Sequence, residues 1–234
     1  METVAVILAA GSGSRTGLST PQQFLLLGGK TVLEHSVQTF HDHPGIDQVV
    51  IVTSSEFIPK VQDMVKANAW SKVTAVLAGG KERFDSSLAA VHHFSNNPDL
   101  VMLFHDAARP LVSARIISDT LKAMETCNAV DVAIPAVDTI VQCDAAGTVM
   151  ESIQNRNLLW RMQTPQGFRQ KTIATAYEIA LKDPAFTATD DCGTVLRYLP
   201  HEKVGIVRGS ERNIKLTYAD DLPLLEFLLS LHNA

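Results

Sequence analysis

The sequence has few cysteines, few aromatic residues and no long apolar run. Its three cysteines, Cys127, Cys143 and Cys192, are widely spaced and form no Cys-x-x-Cys pair. This pattern indicates free thiols in a reducing compartment rather than a disulfide framework. The first apolar run, Val4–Ala10, is too short to span a bilayer, and no charged segment precedes it as in a signal peptide. We therefore expect a cytoplasmic protein without membrane contact.

An excess of basic charge is also lacking. The 20 Lys and Arg residues stand against 25 Asp and Glu residues, which gives a net charge of −5 at pH 7. This balance argues against nucleic acid or an acidic membrane surface as a partner, although a pocket can still be locally basic. The 234 residues, 46% of them hydrophobic, predict a single domain over 1–234 with a sizeable core.

Apolar runs that are typical of buried strands alternate with helical patterns. Strands are predicted at Val4–Leu8, Val49–Thr53, Val73–Leu77, Val101–Phe104 and Val130–Pro135, and helices at Thr31–Phe40, Phe57–Ala67, Phe84–Phe94 and Ala114–Thr126. Further along, a helix is predicted at Thr172–Lys182, a strand at Lys203–Val207 and a last helix at Ala219–Leu231. The alternation predicts an α/β fold with a mostly parallel sheet flanked by helices. Ligands of such sheets bind at the carboxyl ends of the strands.

One segment departs from this alternation. Val137–Cys143 and Thr148–Ile153 flank a turn-forming segment, Asp144-Ala145-Ala146-Gly147, which predicts a β-hairpin. An isolated two-stranded hairpin is marginally stable in water, so we expect a partner chain to cover it. The sequence therefore predicts a protruding arm at about residues 137–156 and a homodimer formed through it.

Small residues directly follow the first strand, in Ala9-Ala10-Gly11-Ser12-Gly13, and Arg15 comes next. Such a loop allows backbone N–H groups to approach an anion, and the guanidinium of Arg15 suits phosphate oxygens. The dinucleotide fingerprint is broken because Thr16 stands at the third glycine position. No complete P-loop motif, with Gly-Lys-Ser/Thr four spacers after a first glycine, is present. The loop thus indicates a nucleotide held by its phosphates; the alternative is a turn without a ligand.

Three more polar segments follow predicted strands. Asp106 comes directly after Val101–Phe104 and is a natural Mg²⁺ ligand beside a phosphate loop, or else a turn residue. Gly79-Gly80 precedes a Ser-rich first helical turn, which can bind a base or a phosphate, or be an ordinary connection. Lys215 follows the last strand and offers a point charge for a phosphate, although surface lysines are common.

These segments occur together in an order that resembles one family. The chain contains AAGxGxR from Ala9, PxQFL from Pro21, GGxxRxxS from Gly79, HDAARP from His105, VDTI from Val137, TPQ from Thr164, TDD from Thr189 and NIK from Asn213. They resemble the 2-C-methyl-D-erythritol 4-phosphate cytidylyltransferases of isoprenoid precursor synthesis. The resemblance implies a Rossmann-like nucleotidyltransferase fold, Mg²⁺-dependent transfer of CMP from CTP to a polyol phosphate, release of pyrophosphate and a homodimer.

The resemblance also implies residue roles. The implied catalytic residues are Arg15, Gln22, Arg156 and Lys215. The implied nucleotide contacts are Ala9, Ala10, Gly11, Gly13, Gly79, Gly80, Arg83, Ser87, Asp106 and Ala107. The implied contacts of the polyol phosphate are Asp106, Arg109, Thr139, Arg156, Thr164, Thr189 and Lys215, with Thr139 and Arg156 reaching the partner subunit's site. Asp106 is the implied metal ligand.

The chain departs from the family pattern at Gln22, where the family has lysine, and at Arg212, which leaves Glu211 as a possible second metal contact. Two other functions stay open. The sister branch of the family acts on ribitol 5-phosphate, and the segments around Val137, Asn155 and Cys192 favour that branch. A nucleotide-binding protein without turnover is the alternative of another class. A nicotinamide oxidoreductase is disfavoured by the broken fingerprint.

Overall fold

The computed structural model of the protein describes residues 1–11, 13, 17–18, 20–187 and 190–231. The strands there are β1 (Thr3–Ala9), β2 (Leu26–Leu27), β3 (Lys30–Thr31), β4 (Gln48–Thr53), β5 (Val73–Ala78), β6 (Val101–Asp106), β7 (Ala129–Pro135), β8 (Val141–Cys143), β9 (Met150–Ile153), β10 (Trp160–Met162), β11 (Gln166–Arg169) and β12 (Val204–Arg208). The α-helices are α1 (Val32–Asp42), α2 (Ile58–Ala67), α3 (Arg83–His93), α4 (Ala114–Ala123), α5 (Gln170–Ala180), α6 (Asp191–Tyr198) and α7 (Asp221–Ser230). Single 3-10 turns lie at Gln22–Phe24, Ser55–Phe57 and Arg156–Leu158.

The main sheet has eight strands in the order β10-β7-β11-β6-β1-β4-β5, with β12 paired to β7. The pairs β1–β4, β1–β6, β4–β5 and β7–β12 are parallel, whereas β11 is antiparallel to both β6 and β7. β10 is also antiparallel to β7. Because β11 reverses direction between β6 and β7, these two strands point the same way. The predicted mostly parallel α/β sheet is confirmed.

The central strand β1 shows why the sheet is buried on both faces. All seven of its residues are buried, as expected for a parallel strand that helices cover on both sides. Ala5, Ile7 and Ala9 belong to one hydrophobic cluster, and the alternate residues Val4, Val6 and Leu8 belong to a second cluster on the opposite face. The continuous apolar run in the sequence therefore corresponds to two cores separated by one strand.

The sequence patterns missed the strands β2, β3, β10 and β11 and the helix α6. β11 separates β6 from β7, which the alternating pattern places as consecutive strands; its residues, Gln166-Gly167-Phe168-Arg169, include a single large apolar side chain. The short helix α6 begins directly after Asp190, and aspartate is a residue type typical of a helix N-cap. The Asp190 side chain indeed accepts a hydrogen bond from the amide of Gly193.

The predicted hairpin forms a separate two-stranded sheet, β8 with β9. Both strands are shorter than predicted, and Val141 pairs with Ile153. Asp144 closes the turn by accepting hydrogen bonds from the amides of Thr148 and Val149 at 2.8 and 3.0 Å. Large apolar side chains are exposed along this arm and at its base: Val137, Ile140, Val141, Val149, Met150, Ile153, Leu158, Trp160 and Met162.

None of the helices in the described ranges is long and apolar enough to cross a membrane.

Asp131 is a buried carboxylate in the interior of β7, and burial raises its pKa to about 7, with a further contribution from the charge of Asp190. Its Oδ1 accepts a hydrogen bond from Nε2 of Gln166 at 2.9 Å. Oε1 of the same Gln166 has no partner within the described residues. A neutral side chain at position 131 therefore suits this environment better than a charged one.

The raised pKa predicts how stability depends on pH. Between the ordinary pKa of 3.8 and about pH 7, Asp131 is protonated in the folded chain and ionised in the unfolded chain. Its contribution to stability is complete below pH 3.8 and is lost as the pH rises through 7. Asp131→Asn should therefore be more stable than the parent above pH 7, with an upper limit of about 4 kcal/mol, and should gain nothing at pH 4.

Urea unfolding of both chains from pH 4 to pH 8 measures this difference. Asp138→Asn, which changes an exposed aspartate on the arm, is the control and should leave the pH profile unchanged. A stability difference between Asp131→Asn and the parent that is the same at pH 4 and pH 8 would contradict the assignment.

Candidate active site

A cleft with a volume of about 380 Å³ lies at the carboxyl ends of β1 and β6. The chain segments that follow β1 and β5 form two of its walls, and the segment around position 215 forms a third. Its lining residues are Leu8, Ala10, Gly11, Gly13, Gln22, Gly80, Lys81, Glu82, Arg83, Ser86, Asp106, Ala108 and Lys215. Four segments that are far apart in the sequence thus meet at one edge of the sheet, as the topology of a parallel sheet predicts.

The loop after β1 is held from behind by side-chain hydrogen bonds to its carbonyl groups. Gln23 Nε2 donates to the carbonyl of Ala9 at 2.9 Å, and Ser54 Oγ donates to the carbonyl of Ala10 at 3.0 Å. Gly13 has a φ of +67°, and a Cβ there would lie 3.0 Å from the backbone nitrogen of Gln22. Gly13 is therefore required both by its conformation and by the close approach of Gln22.

The two glycines after β5 permit close packing within the protein. A Cβ on Gly79 would lie 2.5 Å from Ser86 Oγ and 2.7 Å from Ala10 Cβ, and a Cβ on Gly80 would lie 2.3 Å from Asp85 Cβ. Gly80 lines the cleft, whereas Gly79 lies behind it. The pair thus brings the start of α3 against the loop after β1, which sets the width of the cleft.

Asp106 is the last residue of β6, and its carboxylate holds two cations in the cleft. Arg83 Nε donates to Oδ1 at 3.1 Å, and Lys215 Nζ donates to Oδ2 at 2.7 Å. Burial would raise the pKa of Asp106, but the charges of Arg83 and Lys215 outweigh it and hold the pKa well below its usual range. Asp106 is thus a buried residue at the end of a strand and not the turn residue that the sequence left as an alternative, and it links three segments.

Arg83 reaches a second carboxylate behind the cleft. Its Nη1 donates to Oδ2 of Asp191 at 2.5 Å, and Ser87 Oγ donates to the same oxygen at 3.2 Å. The hydroxyl of Tyr177 donates a short hydrogen bond to Oδ1 of Asp191. Burial would lower the pKa of Arg83, but the two carboxylates outweigh it and raise the pKa above its ordinary value. Arg83 is therefore a fixed cation between two aspartates.

His105 lies on the opposite face of β6 from the cleft. Its Nδ1 is 2.9 Å from Thr164 Oγ1, its Nε2 is 3.1 Å from the carbonyl of Arg109, and its ring stacks obliquely against Phe40. Burial lowers the pKa of His105 to about 4, so its ring is neutral at pH 7. His105 thus packs against its neighbours and orients them.

Thr164 and Arg109 link β6 to the segment that carries Lys215. Thr164 Oγ1 accepts a hydrogen bond from the amide of Asp106 at 3.2 Å, and its carbonyl accepts one from Asn213 Nδ2 at 2.8 Å. Arg109 Nη1 donates to the carbonyl of Asn213 at 2.8 Å. The buried atoms Arg109 Nε and Asn213 Oδ1 have no hydrogen-bond partner in the described part of the chain. These two atoms are therefore available to form hydrogen bonds with a ligand or with water.

The predicted site residues fall into four groups. Those that line the cleft are Ala10, Gly11, Gly13, Gln22, Gly80, Arg83, Asp106 and Lys215; those that support it from behind or from the side are Ala9, Gly79, Ser87, Ala107, Arg109 and Thr164. Thr139 and Arg156 are exposed on the arm and do not line the cleft, and Arg156 Nη1 donates to the carbonyl of Val137 at 3.0 Å. Arg15 and Thr189 lie outside the described residues.

Three polar cleft residues were missed: Lys81, Glu82 and Ser86. They lie within the motif that begins at Gly79, and the spacing of that motif, with serine three positions after Arg83, points to Ser86 rather than to Ser87. The structure agrees with the spacing, since Ser86 lines the cleft and Ser87 bonds to Asp191.

The described residues contain no cluster of three or more His, Cys, Asp or Glu side chains that could hold a metal ion. Glu211, a possible second metal contact by sequence, forms an exposed ion pair with Arg161 at 2.7 Å. Asp106 already accepts hydrogen bonds from two cations. Because a carboxylate has about four lone-pair sites, its oxygens still have room for one contact with a metal ion. The donor set suits a cation that arrives with phosphate ligands of its own.

Comparison with known proteins agrees with this geometry. The family model of 2-C-methyl-D-erythritol 4-phosphate cytidylyltransferase matches residues 3–231. A protein of that name from Thermobifida fusca is 45% identical over 229 residues, which cover 96% of this chain and 92% of the relative. A bifunctional ribulose 5-phosphate reductase/CDP-ribitol pyrophosphorylase from Haemophilus influenzae is 43% identical over 222 residues; these cover 94% of this chain and 47% of that protein, so the chain spans about half its length.

Solved structures extend the similarity to the fold. 4-Diphosphocytidyl-2C-methyl-D-erythritol synthase from Anaerococcus prevotii aligns with a TM-score of 0.84 at 27% identity, over 98% of this chain and 96% of that chain. 2-C-methyl-D-erythritol 4-phosphate cytidylyltransferase from Thermus thermophilus aligns with a TM-score of 0.77 at 27% identity, over 98% and 100% of the two chains. With its nucleotidyltransferase fold, the chain belongs to the 2-C-methyl-D-erythritol 4-phosphate cytidylyltransferase family.

Proposed function

We propose that the chain transfers CMP from CTP to 2-C-methyl-D-erythritol 4-phosphate and releases pyrophosphate. The observation that carries the proposal is the cleft, in which Arg83 and Lys215 meet the small-residue loop after β1. A triphosphate needs a concave wall of small residues and fixed positive charge, and both are present at this edge of the sheet. The relatives whose names state this activity match almost the whole chain.

The reaction needs positioning and charge neutralisation more than acid–base catalysis. The acceptor is a phosphate ester that is already ionised at pH 7, so its oxygen attacks the α-phosphorus of CTP without a general base. The bond from the α-phosphorus to the bridging oxygen breaks in line, and pyrophosphate leaves with that oxygen. Lys215 lines the cleft, where it neutralises the charge that develops on the phosphoryl oxygens in this proposal, and Arg83 supplies a fixed charge that binds the phosphates in substrate and transition state alike. Arg15 would add a further charge.

Mg²⁺ enters this proposal as part of the nucleotide substrate. The ion would be held by the triphosphate and by one lone pair of Asp106, and it would supply positive charge to the phosphate oxygens. Lys215 contacts Asp106 through a single described hydrogen bond and is part-exposed, so it can turn from Asp106 to a phosphate when the nucleotide binds.

The arm leads us to propose a homodimer. Its large apolar side chains are exposed in the single chain, which indicates an interface. Thr139 and Arg156 lie on this arm and not in the cleft, although the family resemblance gives both a role with the polyol phosphate. A two-fold dimer in which each arm reaches the partner's cleft satisfies both observations.

Ribitol 5-phosphate is a second candidate acceptor. A relative whose name includes CDP-ribitol pyrophosphorylase is 43% identical to this chain, close to the 45% of the Thermobifida fusca relative. Both acceptors present a phosphate monoester and several hydroxyl groups, so the cleft described here suits either. The acceptor is therefore decided by experiment.

Pyrophosphate release tests the proposed reaction. The purified chain is incubated with CTP and Mg²⁺ and with either polyol phosphate, and we expect rapid release with 2-C-methyl-D-erythritol 4-phosphate and loss of release when EDTA removes the metal. Faster release with ribitol 5-phosphate would transfer the assignment to that acceptor. CTP binding without release with either acceptor would identify a binding protein that lacks turnover.

We expect substitution of Gln22 by lysine to increase the catalytic rate. The Gln22 side chain lines the cleft, and its amide group is able to donate hydrogen bonds but carries no charge, where the family resemblance expects lysine. The loss of one preorganised donor typically costs about 2–4 kcal/mol of activation free energy. Gln22→Lys should therefore raise kcat by about tenfold or more. Leu26→Lys adds the same charge at an exposed position outside the cleft and should leave kcat unchanged; an unchanged kcat in Gln22→Lys would show that another residue already compensates.

Subunit complementation tests the exchanged arms. Arg156→Ala and Asp106→Asn chains should each be nearly inactive as homodimers, because each removes one half of every site. In a mixed dimer with exchanged arms, one site carries both changes and the other carries neither, so activity per mixed dimer should return to about half of that of the parent dimer. Mixed dimers that form but recover no activity would place Arg156 in the site of its own subunit or outside it.

A further inference from the structure

A fully buried aspartate lies directly behind the cleft and is connected to it. Asp191 is the first residue of α6, is 0% exposed and does not line the cleft. It accepts hydrogen bonds from Arg83, Ser87 and Tyr177, so both of its oxygens are engaged. A charged carboxylate is costly to bury unless it is paired in this way. Because this network is polar, burial of apolar surface does not account for it.

The network constrains Arg83 at two different nitrogens. Nε donates to Asp106 and Nη1 donates to Asp191, and because the guanidinium is planar, two such contacts fix both its position and its plane. Lys215, the other cation on Asp106, has a single described carboxylate partner and a flexible stem. The cleft therefore contains one cation that is held in place before a ligand arrives and one that can move.

We infer that Asp191, itself oriented by Tyr177, is a positioning residue that fixes Arg83 for the nucleotide phosphates. The inference rests on the proposed function, since it gives Arg83 a phosphate as its ligand. A cation that is oriented beforehand loses little entropy when the phosphate binds, whereas a free arginine side chain must be ordered at that moment. Asp191 thus contributes to nucleotide affinity without touching the nucleotide.

The alternative is that Asp191 only balances the charge of Arg83 and stabilises the fold. The two possibilities differ in what a second substitution does. Arg83→Lys removes the planar group that spans Asp106 and Asp191 but keeps the positive charge. If Asp191 acts on the nucleotide through Arg83, adding Asp191→Asn to the Arg83→Lys chain should cause little further loss of affinity for CTP. If the roles are separate, the two losses in affinity multiply.

The experiment measures KM for CTP, kcat and the dissociation constant of CTP by calorimetry in Mg²⁺ for the parent, Asp191→Asn, Arg83→Lys and the double variant. We expect each single variant to raise KM and the dissociation constant about tenfold, with kcat changed less than about threefold, because a fixed charge binds substrate and transition state alike. The double variant should be less than about twofold weaker than Arg83→Lys. Multiplying losses, or a KM that stays at the parent value, would overturn the inference.

Asp131→Asn is the matched control, because it makes the same change at another buried aspartate that forms no described contact with Arg83 or Asp106. It should leave KM for CTP at the parent value. Should Asp191→Asn fail to fold, Tyr177→Phe decides, since it frees one oxygen of Asp191 and should raise KM about threefold. Tyr198→Phe removes the same hydroxyl from a tyrosine that donates to Asp183, away from the cleft, and equal KM values in the two Tyr→Phe variants would overturn the inference.

The outcome for the parent separates this inference from the proposed function. A parent chain that binds no CTP contradicts the proposed function itself. A parent chain that binds and turns over CTP, together with independent effects of Asp191 and Arg83, contradicts only the positioning role.

Discussion

The ion pairs of Asp106 are the interaction on which the cleft depends. This carboxylate ends β6, the central strand next to β1, and it holds Arg83 at the start of α3 and Lys215 in the segment after β12. Arg83 carries the connection on to Asp191 in α6. Two cations and two anions thus tie four segments together, and the residues of one of these ion pairs, Asp106 and Lys215, are 109 positions apart in the sequence. Removing Asp106 leaves Lys215 without its described carboxylate partner, and removing Asp191 leaves Arg83 with one carboxylate in place of two. Breaking a buried ion pair in this way costs more than the intact pair contributes.

The sheet could be predicted from the sequence where one physical rule dominates. Parallel strands are buried on both faces, so β1, β4, β6 and β7 are continuous apolar runs, and the α/β alternation fixes their common direction. β11 follows another rule: its place between β6 and β7 is set by backbone pairing of Gln166–Arg169, which leaves little trace in hydrophobic periodicity. The helix α6 has only eight residues and packs on the core through Cys192 and Val195. Two apolar residues in so short a helix give too weak a hydrophobic periodicity for a helix to be predicted.

The site shows a similar division. The edge at which ligands bind follows from topology, so Ala10, Gly80, Asp106 and Lys215 were brought together as expected. The side chains behind them were not predictable, because Asp191, Tyr177 and Arg83 meet only through the packing of α3, α5 and α6. Gly79 shows how far sequence reasoning reaches. The sequence predicts that a ligand approaches Gly79 closely, but the space where its Cβ would lie is occupied by Ser86 and Ala10.

The division between cleft and arm explains why overall identity does not rank the two acceptors. Two relatives whose names state different acceptors share nearly the same overall identity with this chain, 45% and 43%. The residues that the family resemblance assigns to the acceptor, Thr139 and Arg156, lie on an exposed arm that contributes little to the core. Exposed positions change at small cost in stability. Under the proposed function, the choice of acceptor is therefore determined on this arm, apart from the buried strands that determine the fold.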